Sequence, residues 1–392
     1  MTWQQRWTGA MMANYGTPPL MLTRGKGSRV WDEAGNEYVD LIAGIAVNAL
    51  GHGDSRITEA ITEQLHTLGH VSNLYASEPG IELAEKLIAL TGQSSARVFF
   101  CNSGAEANEA AFKMTRLTGR TKVIVAEGSF HGRTMGSLAL TAQPGKADPF
   151  RPLPGDVVVV PYGDAPALEA AVDTDTAAVF LEPIQGEGGV IVPPPGYLHA
   201  ARKATTAAGA MLVLDEVQTG IGRTGTWFAY QGEQDPVIPD IITLAKGLAG
   251  GIPIGAVIGI CTAADILQPG MHGSTFGGNP ISARASLAVL QAIEDDDLLA
   301  RATQAGDRLA SGVLEAAGDQ VTEVRGKGLL RAAQLSAEHA TSAKEVEAAL
   351  RTGRVLVNPV TSTAIRMAPA LTITDADIDQ AVDTWSGLRR QA

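Results

Sequence analysis

The sequence predicts an α/β fold with a mainly parallel sheet that is covered by helices on both faces. The main observation is a series of short apolar runs that begins near residue 96 and ends near residue 260. Segments with helical spacing separate several of these runs, and this alternation is typical of parallel sheets whose strands are buried on both sides. The runs are RVFFC, KVIVA, VVVVPY, AAVFLEP, MLVLDEV, DIITLA and GAVIGI.

The length of the chain and a change of pattern after residue 280 predict two domains. A chain of 392 residues exceeds the usual size of one hydrophobic core. We expect residues 51–284 to form the large domain. Residues 1–50 and 285–392 are expected to form a smaller, discontinuous α+β domain, because the N-terminal segment offers a hairpin around residues 32–35 but no core of its own.

Hydrophobic spacing and helix-capping signals predict the remaining elements. Helices are expected over residues 55–69, 78–91, 105–117, 166–172 and 196–208. The C-terminal segment is expected to contain alanine-rich helices to about residue 317, a strand-turn-strand unit in VTEVRGKGLLRAAQL, a helix near 342–352, short strands near 354–367 and a final helix from Asp375.

Composition excludes several functional classes. The formal net charge of -12 disfavours nucleic acid and anionic membranes as partners. The N-terminus has no signal-peptide pattern and no apolar run reaches the length of a transmembrane span, so we expect a cytoplasmic protein. Cys101 and Cys261 lack zinc-ligand spacing and lie in apolar runs. Both are expected to be buried free thiols, and no metal site is expected.

Lys246 is the strongest candidate for a reactive side chain. It follows the apolar run DIITLA and precedes the glycine-rich run GLAGGIPIG. Burial disfavours the charged form of a lysine and lowers its pKa, and a neutral amine can form a Schiff base with a carbonyl. The alternative is a surface lysine at a strand end, and the other strand ends help to decide between the two.

Parallel sheets bind ligands beyond the carboxyl ends of their strands, so the residues that follow each run are the next candidates. Ser103, Gly104 and Ala105 stand between a strand and a helix, where exposed N–H groups favour a phosphate. An ordinary serine N-cap explains the same residues equally well. Ser274 and Thr275 lie in the turn HGSTFGGNP, which suits either a phosphate oxygen or a simple tight loop.

Phe130, His131 and Arg133 follow the run KVIVA. An aromatic ring at a strand end can stack on a planar cofactor, and an arginine can hold a carboxylate with two hydrogen bonds. A core phenylalanine and a solvated arginine are the alternatives. For His131 we expect a packing or hydrogen-bonding role.

Asp215 and Glu216 end the run MLVLDEV, and Gln218 follows closely. A carboxylate at the end of a buried strand is costly unless it meets a cation, which leaves magnesium or a protonated aromatic nitrogen as the partner of Asp215. Residues 220–225 match GxGxxG, but they neither open a clear helix nor start at the strand tip, so we do not expect a dinucleotide site.

Pyridoxal phosphate is the single molecule that explains these candidates together. It offers a carbonyl to Lys246 and a phosphate to residues 103–105 and Thr275. Its ring would lie against Phe130, with the pyridine nitrogen at Asp215. Each signal is weak alone, but their joint appearance at successive strand ends favours a cofactor-binding large domain.

With these residues identified, the sequence resembles the class III, fold-type I pyridoxal-phosphate-dependent aminotransferases over nearly its whole length. The resemblance rests on NYGTPP, GHVSNLYASEP, FFCNSGAEANEA, FHGRTMGSLALT, FLEPIQGEGGV, LDEVQTGIGRTG, LAKGLAGGIPIGA, HGSTFGGNP, VRGKGLL and IRMAPAL. The FHGRT and NYGTPP forms are similar to those of the ornithine-type subgroup.

The resemblance implies a role for each cofactor-binding residue. Lys246 would form the Schiff base with the cofactor and move the proton at the substrate carbon, and Asp215 would keep the pyridine nitrogen protonated. Gln218 would bond the ring hydroxyl, and Phe130 would stack on the ring. The turn that contains Thr275 would be donated across the interface of a homodimer.

The resemblance also implies the substrates, N2-acetyl-L-ornithine and 2-oxoglutarate, and a place in arginine biosynthesis. Arg133 would hold the distal carboxylate of both substrates, and Arg366 would hold the α-carboxylate of glutamate alone. Glu187 would pair with Arg366 during the other half-reaction, and Tyr15 would line the substrate pocket. Gly44 would leave room for the acetyl group.

The alternatives remain within and beyond the same chemistry. Ser274 would assist at the substrate site, and Asn73 and Tyr75 are further pocket candidates. A related ω-aminotransferase would act on ornithine, succinyldiaminopimelate or GABA, and an aminomutase would use the same cofactor. A non-catalytic binding protein with the same fold is the third alternative, which the intact Lys246 and Asp215 disfavour.

Overall fold

The computed structural model describes residues 1–338 and 341–388. The N-terminal part is built from short elements around a hairpin. In chain order they are α1 (Trp3–Ala10), β1 (Leu22–Lys26), β2 (Arg29–Asp32), β3 (Glu37–Asp40), α2 (Ala43–Ala46), α3 (Ser55–Thr67) and α4 (Glu78–Thr91). The helices predicted over 55–69 and 78–91 are confirmed as α3 and α4, whereas the sequence patterns did not predict α1 and β1.

The central part contains the predicted alternation of strands and helices. Its elements are β4 (Arg97–Cys101), α5 (Gly104–Arg116), β5 (Lys122–Ala126), α6 (Met135–Ala139), α7 (Pro144–Ala147), β6 (Asp156–Val160), α8 (Ala165–Ala171), β7 (Thr176–Leu181), α9 (Tyr197–Ala208), β8 (Met211–Asp215), β9 (Ile241–Leu244) and β10 (Gly255–Gly259). Each of the seven predicted runs forms a strand.

These strands form one seven-stranded sheet in the order β4-β10-β9-β8-β7-β5-β6. The five strands from β9 to β6 run parallel, which confirms the mainly parallel sheet. β10 is antiparallel to both of its neighbours. The connection from β9 to β10, residues 245–254, is shorter than a parallel crossover requires, so the chain must reverse there. Lys246 lies in this reversal.

Helices cover both faces of the sheet, as predicted. Along β5 the side chains of Val123 and Val125 enter one buried cluster, together with Phe112 of α5. The side chains of Ile124 and Ala126 enter a second cluster on the opposite face. Successive side chains of a strand point to opposite faces, so a strand buried on both sides must be apolar throughout.

The C-terminal part adds two smaller sheets. Its elements are α10 (Pro280–Asp295), α11 (Leu298–Ala317), β11 (Val321–Lys327), β12 (Leu330–Leu335), α12 (Ala343–Thr352), β13 (Val355–Leu356), β14 (Asn358–Pro359), β15 (Ala364–Met367) and α13 (Asp375–Leu388). The sheets have the orders β1-β2-β3-β13 and β11-β12-β15-β14. The predicted hairpin is confirmed as β2 and β3, and β13 pairs with β3 in parallel. The two ends of the chain therefore share one sheet.

The short segment α2 has an unusual backbone. The φ angles of Ala43, Gly44, Ile45 and Ala46 are 47°, 66°, 69° and 60°, in the left-handed region that disfavours residues with a Cβ atom. The Asp40 carboxylate stabilises the start of this turn by accepting hydrogen bonds of 2.9 Å from the N–H groups of the two residues that begin it. The turn leads directly to the cavity described below.

The two cysteines differ in their environment. Cys101 is buried, as predicted, but the prediction for Cys261 is wrong because that residue is exposed. The apolar run that contains Cys261 extends beyond the end of β10, and Cys261 begins a surface turn over Cys261–Asp265. Within residues 1–338 and 341–388, we find no helix with the length and hydropathy needed to span a membrane.

Candidate active site

A cavity of about 420 Å³ lies at the carboxyl ends of β7 and β8, beside the N-terminus of α5. It is lined by Val47, Asn102, Ser103, Gly104, Ala105, Asn108, Phe130, His131, Gly132, Arg133, Glu182, Asp215, Val217, Gln218, Ala245, Lys246, Gly251, Ile252, Pro253 and Ile254. The predicted site residues that line it are Ser103, Gly104, Ala105, Phe130, Arg133, Asp215, Gln218 and Lys246. The predicted site residues outside this lining are Tyr15, Glu187, Ser274, Thr275 and Arg366.

Lys246 begins a tight turn over Lys246–Ala249 immediately after β9, with a φ angle of 43°. Burial is the main reason that the pKa of its amine falls to about 8, and the positive charge of Arg366 lowers it further. The carboxylates of Glu187 and Asp215 oppose this shift. Among the described residues, none forms a hydrogen bond with the Lys246 amine, so its lone pair is free for reaction once the proton is lost.

The Asp215 carboxylate is held by three donors at the end of β8. Its Oδ2 accepts hydrogen bonds from Asn108 Nδ2 at 2.8 Å and from His131 Nδ1 at 2.7 Å. Its Oδ1 accepts one from the main-chain N–H of Val217 at 3.0 Å. The hydrogen-bonding role predicted for His131 is confirmed. Because Nδ1 must carry the proton to donate to a carboxylate, His131 favours an ionised Asp215.

Asn108 and Glu182 also belong to the site, although the sequence analysis did not single them out. Glu182 follows β7, and its carboxylate accepts hydrogen bonds from the N–H groups of Phe130 at 3.1 Å and Gly186 at 3.0 Å. The same strand-end rule that found Asp215 would have found Glu182. Asn108 lies inside α5, where only the packing of that helix on the sheet brings it to Asp215.

Glu216 has a structural role instead. Its carboxylate accepts hydrogen bonds from the N–H groups of Ala229 at 3.0 Å and Tyr230 at 3.1 Å, and from the Thr219 hydroxyl. Burial raises the pKa of Glu216 to about 7 and that of Glu182 likewise to about 7. Successive residues at a strand end point in opposite directions, so Asp215 faces the cavity while Glu216 ties down a loop.

The N-terminus of α5 forms one wall of the cavity. The Ser103 hydroxyl caps this helix by accepting a hydrogen bond of 3.2 Å from the N–H of Glu106. The N-cap alternative is therefore realised. The cap leaves the first N–H groups of the helix, at Gly104 and Ala105, without partners inside the helix, and these groups attract anions. A Cβ atom on Gly104 would lie 2.7 Å from the Val217 side chain.

The Phe130 ring lies at the cavity between two cationic side chains. The Arg133 guanidinium carbon lies 5.5 Å from the ring centroid, and the Lys146 amine lies 4.8 Å from it. Phe130 is only partly buried, so the alternative of a core phenylalanine does not apply. Arg133 is exposed in this chain and lines the cavity.

Arg366 is buried beside the cavity, on β15. Its Nη1 donates to Glu187 Oε1 at 2.5 Å and to Gln218 Oε1 at 2.9 Å, and its Nη2 donates to Asn358 Oδ1 at 2.6 Å. The pairing of Arg366 with Glu187 is thus observed directly. Gln218, which we expected to bond a cofactor hydroxyl, connects this pair to the cavity lining.

Ser274, Thr275 and Tyr15 lie on the surface of the chain. Ser274 Oγ accepts a hydrogen bond of 3.1 Å from Asn102, a cavity residue, while Thr275 is exposed. Tyr15 is 84% exposed. Asn73 donates to the main-chain oxygen of Gly277 at 3.0 Å and so fixes the turn that contains Ser274 and Thr275.

These residues fit pyridoxal phosphate. The depressed amine of Lys246 and the ionised Asp215 line one cavity, as a carbonyl and a pyridinium nitrogen require. The N–H groups at the start of α5 suit a phosphate, and a glycine at position 104 keeps that wall clear of Val217. The partly exposed ring of Phe130 can stack on the pyridine ring.

Comparison with known proteins gives a consistent result. The family model described as aminotransferase class-III matches residues 10–387. The chain is 59% identical to the acetylornithine aminotransferase of Mycolicibacterium smegmatis, over 97% of this chain and 96% of that protein. It is 53% identical to the acetylornithine aminotransferase of Streptomyces coelicolor, over 99% and 95% of the two chains.

Solved structures show the same likeness. An N-acetylornithine aminotransferase from Stenotrophomonas maltophilia is 36% identical, with a TM-score of 0.83 over 97% of this chain and 98% of that one. An ornithine aminotransferase from Toxoplasma gondii is 32% identical, with a TM-score of 0.94 over 100% and 96%. The backbone of this chain therefore follows these enzymes over its full length.

The depressed pKa of Lys246 predicts how cofactor uptake depends on pH. Because the neutral amine is the nucleophile, the rate at which the apo-protein takes up pyridoxal phosphate should rise about ten-fold from pH 6.5 to pH 8.5, with a midpoint near the Lys246 pKa of about 8. Stopped-flow absorbance measures this rate. Lys246→Ala should abolish the covalent band, and the surface variant Lys203→Ala should retain it; a rate independent of pH would contradict the assignment.

The hydrogen bond from His131 to Asp215 predicts a loss of cofactor affinity in His131→Leu. A hydrogen bond to a charged group contributes about 1.5–3 kcal/mol, so the dissociation constant of pyridoxal phosphate should rise about ten-fold or more. Equilibrium dialysis of the purified variant gives this constant. His131→Gln, which can still donate to the carboxylate, should recover most of the affinity, and equal losses in both variants would argue against the hydrogen bond as the cause.

Proposed function

Since the chain belongs to the class-III aminotransferases, we propose that it transfers the δ-amino group of N2-acetyl-L-ornithine to 2-oxoglutarate. The products are N-acetylglutamate 5-semialdehyde and L-glutamate, and the step belongs to arginine biosynthesis. The names of relatives that are more than half identical over nearly the full chain support this substrate. The observation that carries the proposal is the buried pair of Arg366 and Glu187 beside the cavity of Lys246.

Three side chains would act at the reacting atoms. Pyridoxal phosphate, when bound, supplies a carbonyl for the amine and a ring that accepts electrons from the substrate carbon. Lys246 attacks that carbonyl as a neutral amine and later moves a proton at the substrate carbon, acting as base and then as acid. Asp215, held by His131, keeps a proton on the ring nitrogen and so strengthens the electron acceptor.

The two half-reactions pose different demands on the cations of the site. Glutamate presents a carboxylate next to its reacting carbon and a second one further away. Acetylornithine reacts at a terminal carbon and has only a distal carboxylate. Arg133 would hold the distal carboxylate in both cases, while Arg366 would be needed for glutamate alone. Glu187 can neutralise Arg366 when acetylornithine is bound, and its release would expose Arg366 to glutamate.

The surface of the chain supports a homodimer as part of the proposal. Large apolar side chains are exposed in the segments around the turn of Thr275 and near the N-terminus. Their exposed fractions are 86% for Met12, 84% for Tyr15, 85% for Leu74, 74% for Tyr75 and 60% for Phe276. A second copy would cover them and would receive Thr275 at its phosphate site.

The proposal also includes a location and a division into domains. We place the enzyme in the cytoplasm, as expected from the sequence. Residues 1–50 and 285–392 would form the small domain, and residues 51–284 would form the large one. The parallel pairing of β3 with β13 supports this division, because it joins the two ends of the chain in one sheet.

The half-reactions test the proposed function directly. Glutamate should convert the absorbance of the bound cofactor from its aldehyde form to its amine form, and acetylornithine should do the same in a separate experiment. Steady-state kcat/KM should be at least about ten-fold higher for acetylornithine than for ornithine, because the acetyl group fills space beside Gly44. A preference for ornithine, succinyldiaminopimelate or GABA would assign a different ω-aminotransferase.

The variant Glu187→Ala tests the switch at Arg366. Without its partner, Arg366 should bind the α-carboxylate of glutamate more readily, and the ratio of kcat/KM for glutamate to that for acetylornithine should rise about ten-fold. Glu169→Ala, which removes a carboxylate from the surface of α8, should leave the ratio unchanged. If Glu187→Ala keeps the wild-type ratio, Glu187 has no part in substrate selection.

A further inference from the structure

Two cationic side chains approach the same aromatic ring at the rim of the cavity. Arg133 and Lys146 lie 5.5 Å and 4.8 Å from the centroid of Phe130. The sequence analysis assigned Arg133 to the distal carboxylate of the substrates but gave Lys146 no role. Lys146 is 13 positions further along the chain (146 − 133 = 13), and it reaches the site only because α7 folds back toward the end of β5.

The position of the Lys146 side chain is fixed by Gln143. The Gln143 Oε1 atom accepts a hydrogen bond from the Lys146 amine. The Gln143 Nε2 atom donates to the main-chain oxygen of Gly128 at 2.9 Å, just after β5. Lys146 is therefore tethered to the strand end that also positions Phe130, and its amine is half-buried there rather than free in solvent.

The charge of Lys146 lacks a compensating carboxylate. Within residues 1–338 and 341–388, no carboxylate forms an ion pair with Lys146 or with Arg133. Burial lowers the pKa of Lys146, and the positive charges of Arg133 and Arg366 lower it further. Glu187, whose carboxylate opposes this shift, is already paired with Arg366. The rim of the cavity thus has a surplus of positive charge that an external anion would neutralise.

We propose that Lys146 is a second cation for the distal carboxylate of both substrates, acting beside Arg133. This inference rests on the proposed function, in which acetylornithine and glutamate share that carboxylate. Arg133 offers two parallel donors, while Lys146 adds a compact charge on a flexible stem. The two substrates differ in length, and a lysine can follow the carboxylate more easily than an arginine. Lys146 would thereby help one site to accept both molecules.

A pair of matched substrates tests this role. N-acetylputrescine is acetylornithine without its carboxylate. In Lys146→Met holoenzyme, kcat/KM for acetylornithine and for glutamate should fall about ten-fold, mainly through KM, because a charge-assisted contact is lost. The value for N-acetylputrescine should stay within about two-fold of the wild type. Lys146→Arg should recover most of the loss, and Lys203→Met, which removes the same charge from the surface of α9, should have no effect.

Binding of glutarate provides a measurement that does not depend on turnover. Glutarate has two carboxylates and no amine, so its dissociation constant can be measured by calorimetry on the holoenzyme. Lys146→Met should weaken it about ten-fold, and butyrate, with one carboxylate, should show whether the lost contact is the distal one. If the wild type fails to convert acetylornithine, the proposed function is wrong, and glutarate binding still decides the role of Lys146.

The outcomes that would overturn the inference are equally specific. An equal loss for acetylornithine and N-acetylputrescine would mean that Lys146 only supports the Phe130 ring. Unchanged KM values and unchanged glutarate affinity in Lys146→Met would mean that the substrate carboxylate does not contact this amine. Failure of Lys146→Arg to recover glutarate affinity, with a folded and cofactor-loaded variant, would show that charge is not what the position supplies.

Discussion

The burial of the Lys246 amine at the reversal between β9 and β10 is the constraint on which the rest of the site depends. A lysine in this position loses its hydration, which favours the neutral amine and makes it nucleophilic. The short connection imposes the antiparallel direction of β10 and holds Lys246 at a positive φ angle. The sheet thus presents the amine at the same edge as the carboxyl ends of β7 and β8, where Asp215 lies.

A second consequence is that one helix organises two distant parts of the cofactor. The N-terminus of α5 offers free N–H groups to a phosphate, and Asn108, one turn further, donates to Asp215. A buried carboxylate is costly unless donors surround it, and Asn108 and His131 meet that need without cancelling its charge. The spacing between phosphate and carboxylate is therefore set by a rigid helix instead of by loops, which supports the precise placement of a planar ring.

The sequence predicted the strands and much of the site because both follow from local patterns. Apolar runs identify buried strands, and parallel strands bring the residues after them to one edge, which located Asp215, Phe130 and Lys246 together. It could not predict Asn108 or Lys146, since their roles depend on how α5 and α7 pack against the sheet. The direction of β10 was missed because the pattern of a buried strand is the same in either direction. Cys261 was misjudged because an apolar run continued beyond the sheet.

The distribution of charge explains why a single cavity can serve two unlike substrates. Arg366 is buried and fully bonded by Glu187, Gln218 and Asn358, so it becomes available only when an anion displaces Glu187. Arg133 and Lys146 are unpaired within the described chain and so are open to any distal carboxylate. Binding energy from the rim is thus common to both half-reactions, while the interaction beside the reacting carbon is conditional. Selectivity then depends on the free energy of separating Glu187 from Arg366, a quantity set by burial and hydrogen bonding and not by the shape of the cavity alone.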